Sequence, residues 1–213
     1  NVGWYLVRAL EHKADVNSIC SRTLDGLRPD ADLYLVSVSD NAIVEVAERV
    51  RAEVGGDAVV AHTSGATQMD GTTVNGVLYP LQTFTKGIEL NYADIPFYIE
   101  GIDERCEETC LGAARLISEH VRLADSATRA RLHVGSTIAS NFANHLWALA
   151  DDYLEGNGLE FNDLMPLLGE TLRKAAETGP AEAQTGPAKR GDSKSIARHL
   201  ALLGSDPALQ KLY

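Results

Sequence analysis

Gly3 and Arg22 are two residues whose types and spacing would suit a phosphorylated ligand. Gly3 lies just inside a helix that the apolar spacing predicts over Val2–Leu10. The last glycine of a G-x-G-x-x-G turn lies at such a point and lets the helix pack close to a strand. Arg22 follows 19 residues later, after a predicted strand over residues 16–21. An arginine there suits the 2′-phosphate of NADP, whereas NAD enzymes carry an acidic residue. The plainer alternative is a common helix-start glycine and a solvated arginine.

The ends of two further predicted strands continue this pattern. Apolar runs over residues 31–39 and 57–61 are typical of buried parallel strands. Ligands of open parallel sheets bind beyond the carboxyl ends of the strands. His62, at one such end, could be a structural histidine or a catalytic group. We therefore expect an NADP site without a metal, whose candidate contacts are Asn1, Val2, Gly3, Ser21, Arg22, Thr23, Val38, Ser39, Asp40, His62, Thr63, Ser64 and Gly65.

A long helix predicted over residues 125–156 carries polar side chains at four-residue spacing. They form two adjacent stripes, with Ser136, Ser140 and Asn144 in one and Asn141 and His145 in the other. The positions around them are apolar: Ile138, Phe142, Leu146, Trp147 and Leu149. A helix that is apolar almost all round is expected to be buried, so its polar groups need partners. Those partners are neighbouring helices, a second subunit or a substrate. For a substrate, Ser140, Asn141 and Asn144 would orient it and His145 would transfer a proton.

A polar, turn-rich loop over residues 184–192 is a second candidate for substrate binding. Loops of this kind often carry function, and Lys189 and Arg190 could hold an anionic group. Equally, the loop could be a solvated turn before a helix cap at Asp192. The candidate substrate contacts are Gln82, Gln184, Thr185 and Arg190, for a small and possibly anionic molecule.

The elements that must position these residues alternate between helices and strands in the first half of the chain. Further strands are predicted over residues 76–84 and 96–100, and helices over 41–54, 104–120, 161–177 and 193–203. This order predicts an α/β fold with a Rossmann-type parallel sheet over residues 1–120 and an all-helical domain over residues 121–213. We also expect a strand before Asn1 and a helical crossover near Thr23–Leu24 to be missing from this sequence, because the remaining connection is too short for a parallel pair.

Composition excludes several classes of function. The net charge of −11 argues against a nucleic-acid partner or an anionic membrane surface. The three cysteines, Cys20, Cys106 and Cys110, are too few for a disulfide framework and lack the neighbours of a metal site. The apolar stretch from 132 to 150 contains too many polar side chains for a lipid-facing helix. These observations favour a cytoplasmic protein.

Several longer motifs resemble one bacterial family. They are HTSG at residues 62–65, LYPLQTF at 78–84, IPFYIE at 95–100, SNFANHL at 140–146 and QTGPA at 184–188. Members of that family join a Rossmann-like NADP-binding domain to a helical domain of unknown function, number 2520. The family is similar to a wider group of 6-phosphogluconate dehydrogenase-like enzymes that includes pyrroline-carboxylate reductase, ketopantoate reductase, the β-hydroxyacid dehydrogenases and prephenate dehydrogenase.

The resemblance implies NADP binding and a homodimer formed through the helical domain, without naming a substrate. The β-hydroxyacid dehydrogenases carry a catalytic lysine with an asparagine four residues later, where this chain has Ser140 and Asn144. Because this chain has a serine where those enzymes have the lysine, two hypotheses remain. One is an NADP-dependent oxidoreductase acting on a small carbonyl, imine or hydroxyacid, and the other is a non-catalytic NADP-binding sensor or partner-binding dimer. A narrower alternative is a prephenate-dehydrogenase-like enzyme, in which Arg190 would bind a substrate carboxylate.

Overall fold

The chain forms two compact units. The computed structural model describes residues 1–20 and 23–213, and contacts divide the chain into Asn1–Ala139 and Ser140–Tyr213. The first unit extends past residue 120, where the sequence suggested a boundary, because the last strand and the following helix belong to it. Within the described residues, no helix has both the length and the apolar composition to cross a bilayer.

The first unit is built on a mainly parallel sheet. Its strands are β1 (Leu33–Val36), β2 (Val59–His62), β3 (Gly76–Pro80), β4 (Phe97–Gly101) and β5 (Val121–Leu123), in the spatial order β1-β2-β3-β4-β5. The pairs β1–β2, β2–β3 and β4–β5 are parallel, and β3–β4 is antiparallel. This sheet confirms the predicted α/β class.

Helices cover the sheet of the first unit. They are α1 (Val2–Leu10), α2 (Ile43–Val54), α3 (Glu104–Arg115) and α4 (Ser126–Ser136). Helices α1 and α3 contribute Leu6, Leu10 and Leu111 to one apolar cluster, and α2 contributes Ile43 and Ala47 to another. The bounds of α1 are those predicted, because its apolar residues recur at helical spacing.

The second unit consists of helices. A π-helix over Thr137–Phe142 separates α4 from α5 (Ala143–Glu155). Helices α6 (Met165–Thr178), α7 (Pro180–Ala183), α8 (Ser193–Leu202) and α9 (Pro207–Leu212) follow. The Asp192 carboxylate accepts a hydrogen bond from the Ser195 N–H at 3.0 Å, so the predicted cap of α8 is confirmed.

Three expectations from the sequence were wrong. Residues 16–20, the described part of the first predicted strand, form no strand, because no sheet neighbour pairs with them. Strand β4 runs antiparallel to β3, which an apolar run alone does not reveal. The helix around residue 142 is not buried within this chain, because Phe142 is 59% exposed and Trp147 is 43% exposed.

Candidate functional site

The start of α1 and the carboxyl ends of β1 and β2 meet at one edge of the sheet. A Cβ atom built on Gly3 would lie 3.2 Å from both Cβ and Oγ of Ser37, the residue that follows β1. The Thr63 hydroxyl, just after β2, donates to Ser37 Oγ at 3.2 Å. The absence of a side chain at Gly3 therefore allows α1 to begin close to the strand end, as the third glycine of a dinucleotide-binding turn does.

The loop after β1 leaves the same edge. Val38, Ser39 and Asp40 are exposed, and Ser39 precedes a short 3₁₀ turn over Asp40–Ala42. These three candidate cofactor contacts therefore border the edge where Gly3 and Thr63 lie. Thr23 is exposed and donates its hydroxyl to Asp25 Oδ2 at 2.7 Å. The candidates Ser21 and Arg22 lie outside the described residues.

His62 is fully buried at the end of β2. Its Nδ1 atom accepts a hydrogen bond from the Ser64 N–H at 3.1 Å, so a proton of the neutral ring belongs on Nε2. Burial, followed by the charge of Arg129, lowers the pKa of His62 to about 4. The imidazole is therefore neutral near pH 7, which favours the structural interpretation of this residue over the catalytic one.

The loop after β2 is shaped by Ser64 and Gly65. The Ser64 hydroxyl accepts hydrogen bonds from the N–H groups of Ala66 and Thr67 at 3.1 and 3.0 Å. A Cβ atom on Gly65 would lie 2.6 Å from Tyr79 Cζ and 2.7 Å from His133 Nδ1. Glycine is therefore the residue that lets this loop lie directly against both rings.

A buried ion pair holds the same loop against α4. Arg129 is fully buried and pairs with Glu100, at the end of β4. Its guanidinium also donates to the Thr67 carbonyl at 2.6 Å and to Ser126 Oγ at 3.2 Å. Ser126 in turn donates to a Glu100 carboxylate oxygen at 2.8 Å and accepts from the Met69 N–H at 3.1 Å. This network positions the loop that carries Ser64 and Gly65.

Sequence reasoning missed both Arg129 and the pair formed by Tyr79 and His133. The Tyr79 hydroxyl lies 3.1 Å from His133 Nδ1, and burial raises the pKa of Tyr79. Arg129 and Arg131 lie two apart on one amphipathic helix, and nothing in their spacing indicates which one is buried. The LYPLQTF motif does contain Tyr79, but its partner is 54 residues away in the sequence.

The second unit carries the candidate residues for substrate and proton transfer. Ser140 and Asn141 lie in the π-helix, and Asn144 and His145 lie in α5. Ser140 is half-buried and the other three are exposed. A π-helix bonds residue i to i+5, so the four-residue stripes expected for an α-helix are shifted here. Such segments occur frequently at functional sites.

The remaining substrate candidates are exposed. Gln82, in the first unit, accepts a hydrogen bond from the Thr83 N–H at its side-chain oxygen, at 2.8 Å. In the second unit, Gln184, Thr185 and Arg190 lie in the loop between α7 and α8. The structure thus brings the cofactor candidates at the start of α1 and after β1 and β2 to one edge of the sheet, while the substrate candidates are divided between the units.

The two cysteines of α3 do not form a reactive site. Cys106 and Cys110 lie on the buried face of α3, and burial raises the pKa of the Cys110 thiol to about 12. These thiols therefore stay protonated and act as small apolar side chains. Over residues 1–20 and 23–213, no group of three or more histidine, cysteine or carboxylate side chains could hold a metal ion.

Comparison with known families assigns the chain to one of them. The profile of the family described as Domain of unknown function (DUF2520) matches residues 95–213, more than half of the chain. This protein belongs to that family, as its motifs predicted. Among curated proteins, none shows significant similarity to the chain.

Solved structures give the same fold. A Bacteroides fragilis protein provisionally named an NADP oxidoreductase has a TM-score of 0.83 and 38% identity, covering 91% of this chain and 76% of its own. The Thermotoga maritima protein TM1727 has a TM-score of 0.68 and 26% identity, with coverage of 84% and 72%. A Mycobacterium avium protein provisionally named an oxidoreductase has a TM-score of 0.57, with coverage of 86% and 76%; its 15% identity is evidence of fold alone.

Proposed function

We propose that this protein is a cytoplasmic NADP-dependent oxidoreductase that transfers a hydride to or from a small carbonyl, imine or hydroxyacid. The observation that carries the proposal is the close approach of Gly3 to Ser37, which brings the start of α1 against the carboxyl end of β1. Backbone N–H groups at a helix start bind phosphate, and ligands of parallel sheets bind at this edge. The name of the Bacteroides fragilis relative supports the same reaction class.

The residues at the sheet edge fit a phosphorylated dinucleotide. A Cβ on Gly3 would fill the space beside Ser37 that lets α1 start near the strands. Residues 1–3 would bind the diphosphate, Arg22 with its two neighbours the 2′-phosphate, and residues 38–40 and 63–65 the nicotinamide half, while the buried His62 supports the second of these loops by accepting the Ser64 N–H. NADPH supplies a hydride when it is bound, and the protein supplies orientation and electrostatics.

The second unit supplies the substrate contacts in this proposal. Ser140, Asn141 and Asn144 orient the substrate by hydrogen bonds, and the exposed imidazole of His145 is a candidate proton donor. Arg190 binds an anionic group if the substrate carries one, with Gln82, Gln184 and Thr185 as further contacts. The π-helix that contains Ser140 and Asn141 supports this assignment, because such segments are frequent at functional sites.

A substrate screen tests the reaction. Keto acids, aldehydes, cyclic imines and hydroxyacids are offered with NADPH or NADP⁺, and the nicotinamide absorbance is followed. We expect turnover with one of these classes, and loss of that turnover in Asn144→Ala and Asn141→Ala with NADPH binding retained. Tight NADPH binding with no turnover across the panel would contradict the enzymatic proposal and favour the binding alternative.

The exposed apolar side chains of the second unit fit a homodimer. They lie mainly in the π-helix, α5 and α6: Phe142, Leu146, Trp147, Leu159, Met165, Leu167 and Leu172. Large exposed apolar side chains that lie together on a surface are typical of an interface with another protein. A second copy of the same unit offers the same apolar surface and would cover it.

Sedimentation equilibrium tests the dimer. Replacing Leu146 and Trp147 together by glutamate places charges on the proposed interface, and we expect a monomer. The matched control is Ile88→Glu, an exposed isoleucine of the first unit, which should leave the dimer unchanged. A monomeric wild-type protein would contradict the assignment.

A non-catalytic NADP-binding dimer is the second candidate. One observation favours it: Ser140 stands where the β-hydroxyacid dehydrogenases carry their catalytic lysine. A sensor of this kind would change its oligomeric state or partner affinity when NADPH replaces NADP⁺. The same sedimentation experiment, repeated with each dinucleotide, separates the two functions.

A further inference from the structure

We propose that His133 is the group that faces the nicotinamide ring and exchanges the proton of the reaction, and that Tyr79 is its positioning residue. The inference rests on the proposed function, because it assigns a role at the same NADP site. It concerns the first unit alone, whose residues include the sheet edge, Tyr79 and His133.

The close packing around Gly65 shows where His133 lies. A Cβ on Gly65 would lie 2.7 Å from His133 Nδ1 and 2.6 Å from Tyr79 Cζ. Gly65 belongs to the loop after β2, at the edge of the sheet where Thr63 meets Ser37. His133 is thus in contact with the loop that we assign to the nicotinamide half of the cofactor.

A contact with the Tyr79 hydroxyl orients the imidazole ring of His133. The Tyr79 hydroxyl lies 3.1 Å from His133 Nδ1, and the two rings meet edge to face, with centroids 6.0 Å apart. Nδ1 is therefore engaged, and Nε2 is the nitrogen that can meet a ligand. The ring is half-buried, whereas His62, at the end of β2, is fully buried and accepts the Ser64 N–H.

A proton from His133 would complete the reduction of a carbonyl substrate. A carbonyl that accepts a hydride at carbon gains one negative charge on oxygen and needs one proton. The imidazolium of His133 gives that proton from Nε2, while its Nδ1–H donates to the Tyr79 oxygen. The ring becomes neutral, keeps its Nδ1–H, and regains a solvent proton at Nε2. Burial raises the pKa of Tyr79, so the phenol stays protonated and serves as a fixed acceptor throughout.

The positive charge of the oxidised nicotinamide makes this contact measurable without a substrate. We would record the ring ¹⁵N resonances of the histidines at one pH in saturated NADP⁺ and NADPH complexes, with His133→Gln and His145→Gln used for assignment. The oxidised ring carries a charge that the reduced ring lacks, and a charge within a few ångströms perturbs an imidazole strongly. We expect His133 to differ clearly between the two complexes, and by more than His145, the other candidate proton donor; a larger difference at His145 would overturn the assignment.

Two further results would overturn the assignment in different ways. If both dinucleotides bind and the His133 resonances are the same in the two complexes, His133 does not face the nicotinamide and the inference fails alone. If neither dinucleotide binds, the proposed function fails and the inference fails with it. In Tyr79→Phe, we expect the His133 Nδ1 resonance to move while both dinucleotides still bind. An unchanged Nδ1 resonance would remove Tyr79 from the positioning role.

Discussion

The two units of the molecule treat their apolar side chains in opposite ways. In the sheet unit, Val60, Ala61 and Leu78 are completely buried, and β2 and β3 are buried along their whole length. In the helical unit, Leu167 and Leu172 are 63% and 73% exposed. The sheet unit therefore buries its own core, whereas the exposed apolar side chains of the helical unit are those that the proposed homodimer would cover.

One ion pair of the sheet unit also differs in burial from the ion pairs of α6 in the helical unit. The pair of Arg129 with Glu100 in the sheet unit is nearly inaccessible, with Glu100 only 15% exposed. In the helical unit, Arg173 bonds Glu170 and Glu177 at the surface. A buried pair that loses one partner leaves an uncompensated charge, whereas a surface pair loses little. Substitutions in the two units should therefore differ in their effect on stability.

Replacing Arg129 should have the largest effect. Arg129→Met removes the charge that compensates Glu100 and the hydrogen bond to the Thr67 carbonyl. We expect the free energy of unfolding to fall by about 3–5 kcal/mol, measured by urea denaturation. The matched control is Arg173→Met in the exposed ion pairs of α6, which should change stability far less. Equal losses for the two variants would remove the contrast between the units.

Acid should destabilise the sheet unit through His62. Its pKa of about 4 in the folded protein is below the ordinary value of 6.5, so the unfolded chain binds the proton first as pH falls. The stability contributed by the neutral ring is fully present above pH 6.5 and is lost between 6.5 and about 4. The total is about 3 kcal/mol. Urea denaturation across this range should show a steeper pH dependence for the wild type than for His62→Gln, and parallel curves would contradict the prediction.

Arg22→Ala should weaken the binding of NADPH much more than the binding of NADH. Hydrogen bonds to charged groups contribute about 1.5–3 kcal/mol, so Arg22→Ala should weaken NADPH binding roughly 10-fold or more. NADH lacks the 2′-phosphate, and its affinity should hardly change. Titration calorimetry with both dinucleotides measures the ratio. An equal loss for NADH and NADPH would place Arg22 away from the 2′-phosphate.

Gly65→Ala should have the smallest of these effects, a modest loss in the free energy of unfolding. A Cβ there overlaps Tyr79 and His133, and such overpacking costs about 1–3 kcal/mol. Gly112 in α3 is the control, because a Cβ built on it meets nothing within 4 Å. Gly112→Ala should stabilise the protein slightly, since alanine favours helices. Chemical denaturation compares the two, and a stable Gly65→Ala variant would mean that the loop does not lie against the rings.

The sequence predicted those parts of the molecule that local periodicity controls. Helix α1 and the cap at Asp192 follow from apolar spacing and from a side chain that bonds a nearby N–H group. The meeting of Gly3 with Ser37 was predictable only in outline, from the rule for parallel sheets.

The remaining features depend on contacts between distant residues. The direction of β4 is set by its pairing with β3, and the burial of Arg129 by Glu100, 29 residues earlier. The exposure of Phe142 contradicted the buried helix expected from composition, because an apolar side chain does not reveal whether its own chain or another molecule covers it. The contact of Tyr79 with His133 also joins residues that are far apart in the sequence.

Titration calorimetry of the protein with NADPH tests the proposed cofactor site. The claim is that the edge formed by Gly3, Ser37 and Thr63 holds a phosphorylated dinucleotide. We predict saturable heat with NADPH, weaker binding of NADH, and a marked loss of NADPH affinity in Gly3→Val, whose side chain would crowd Ser37. The absence of heat with either dinucleotide, or unchanged NADPH affinity in a folded Gly3→Val variant, would contradict it.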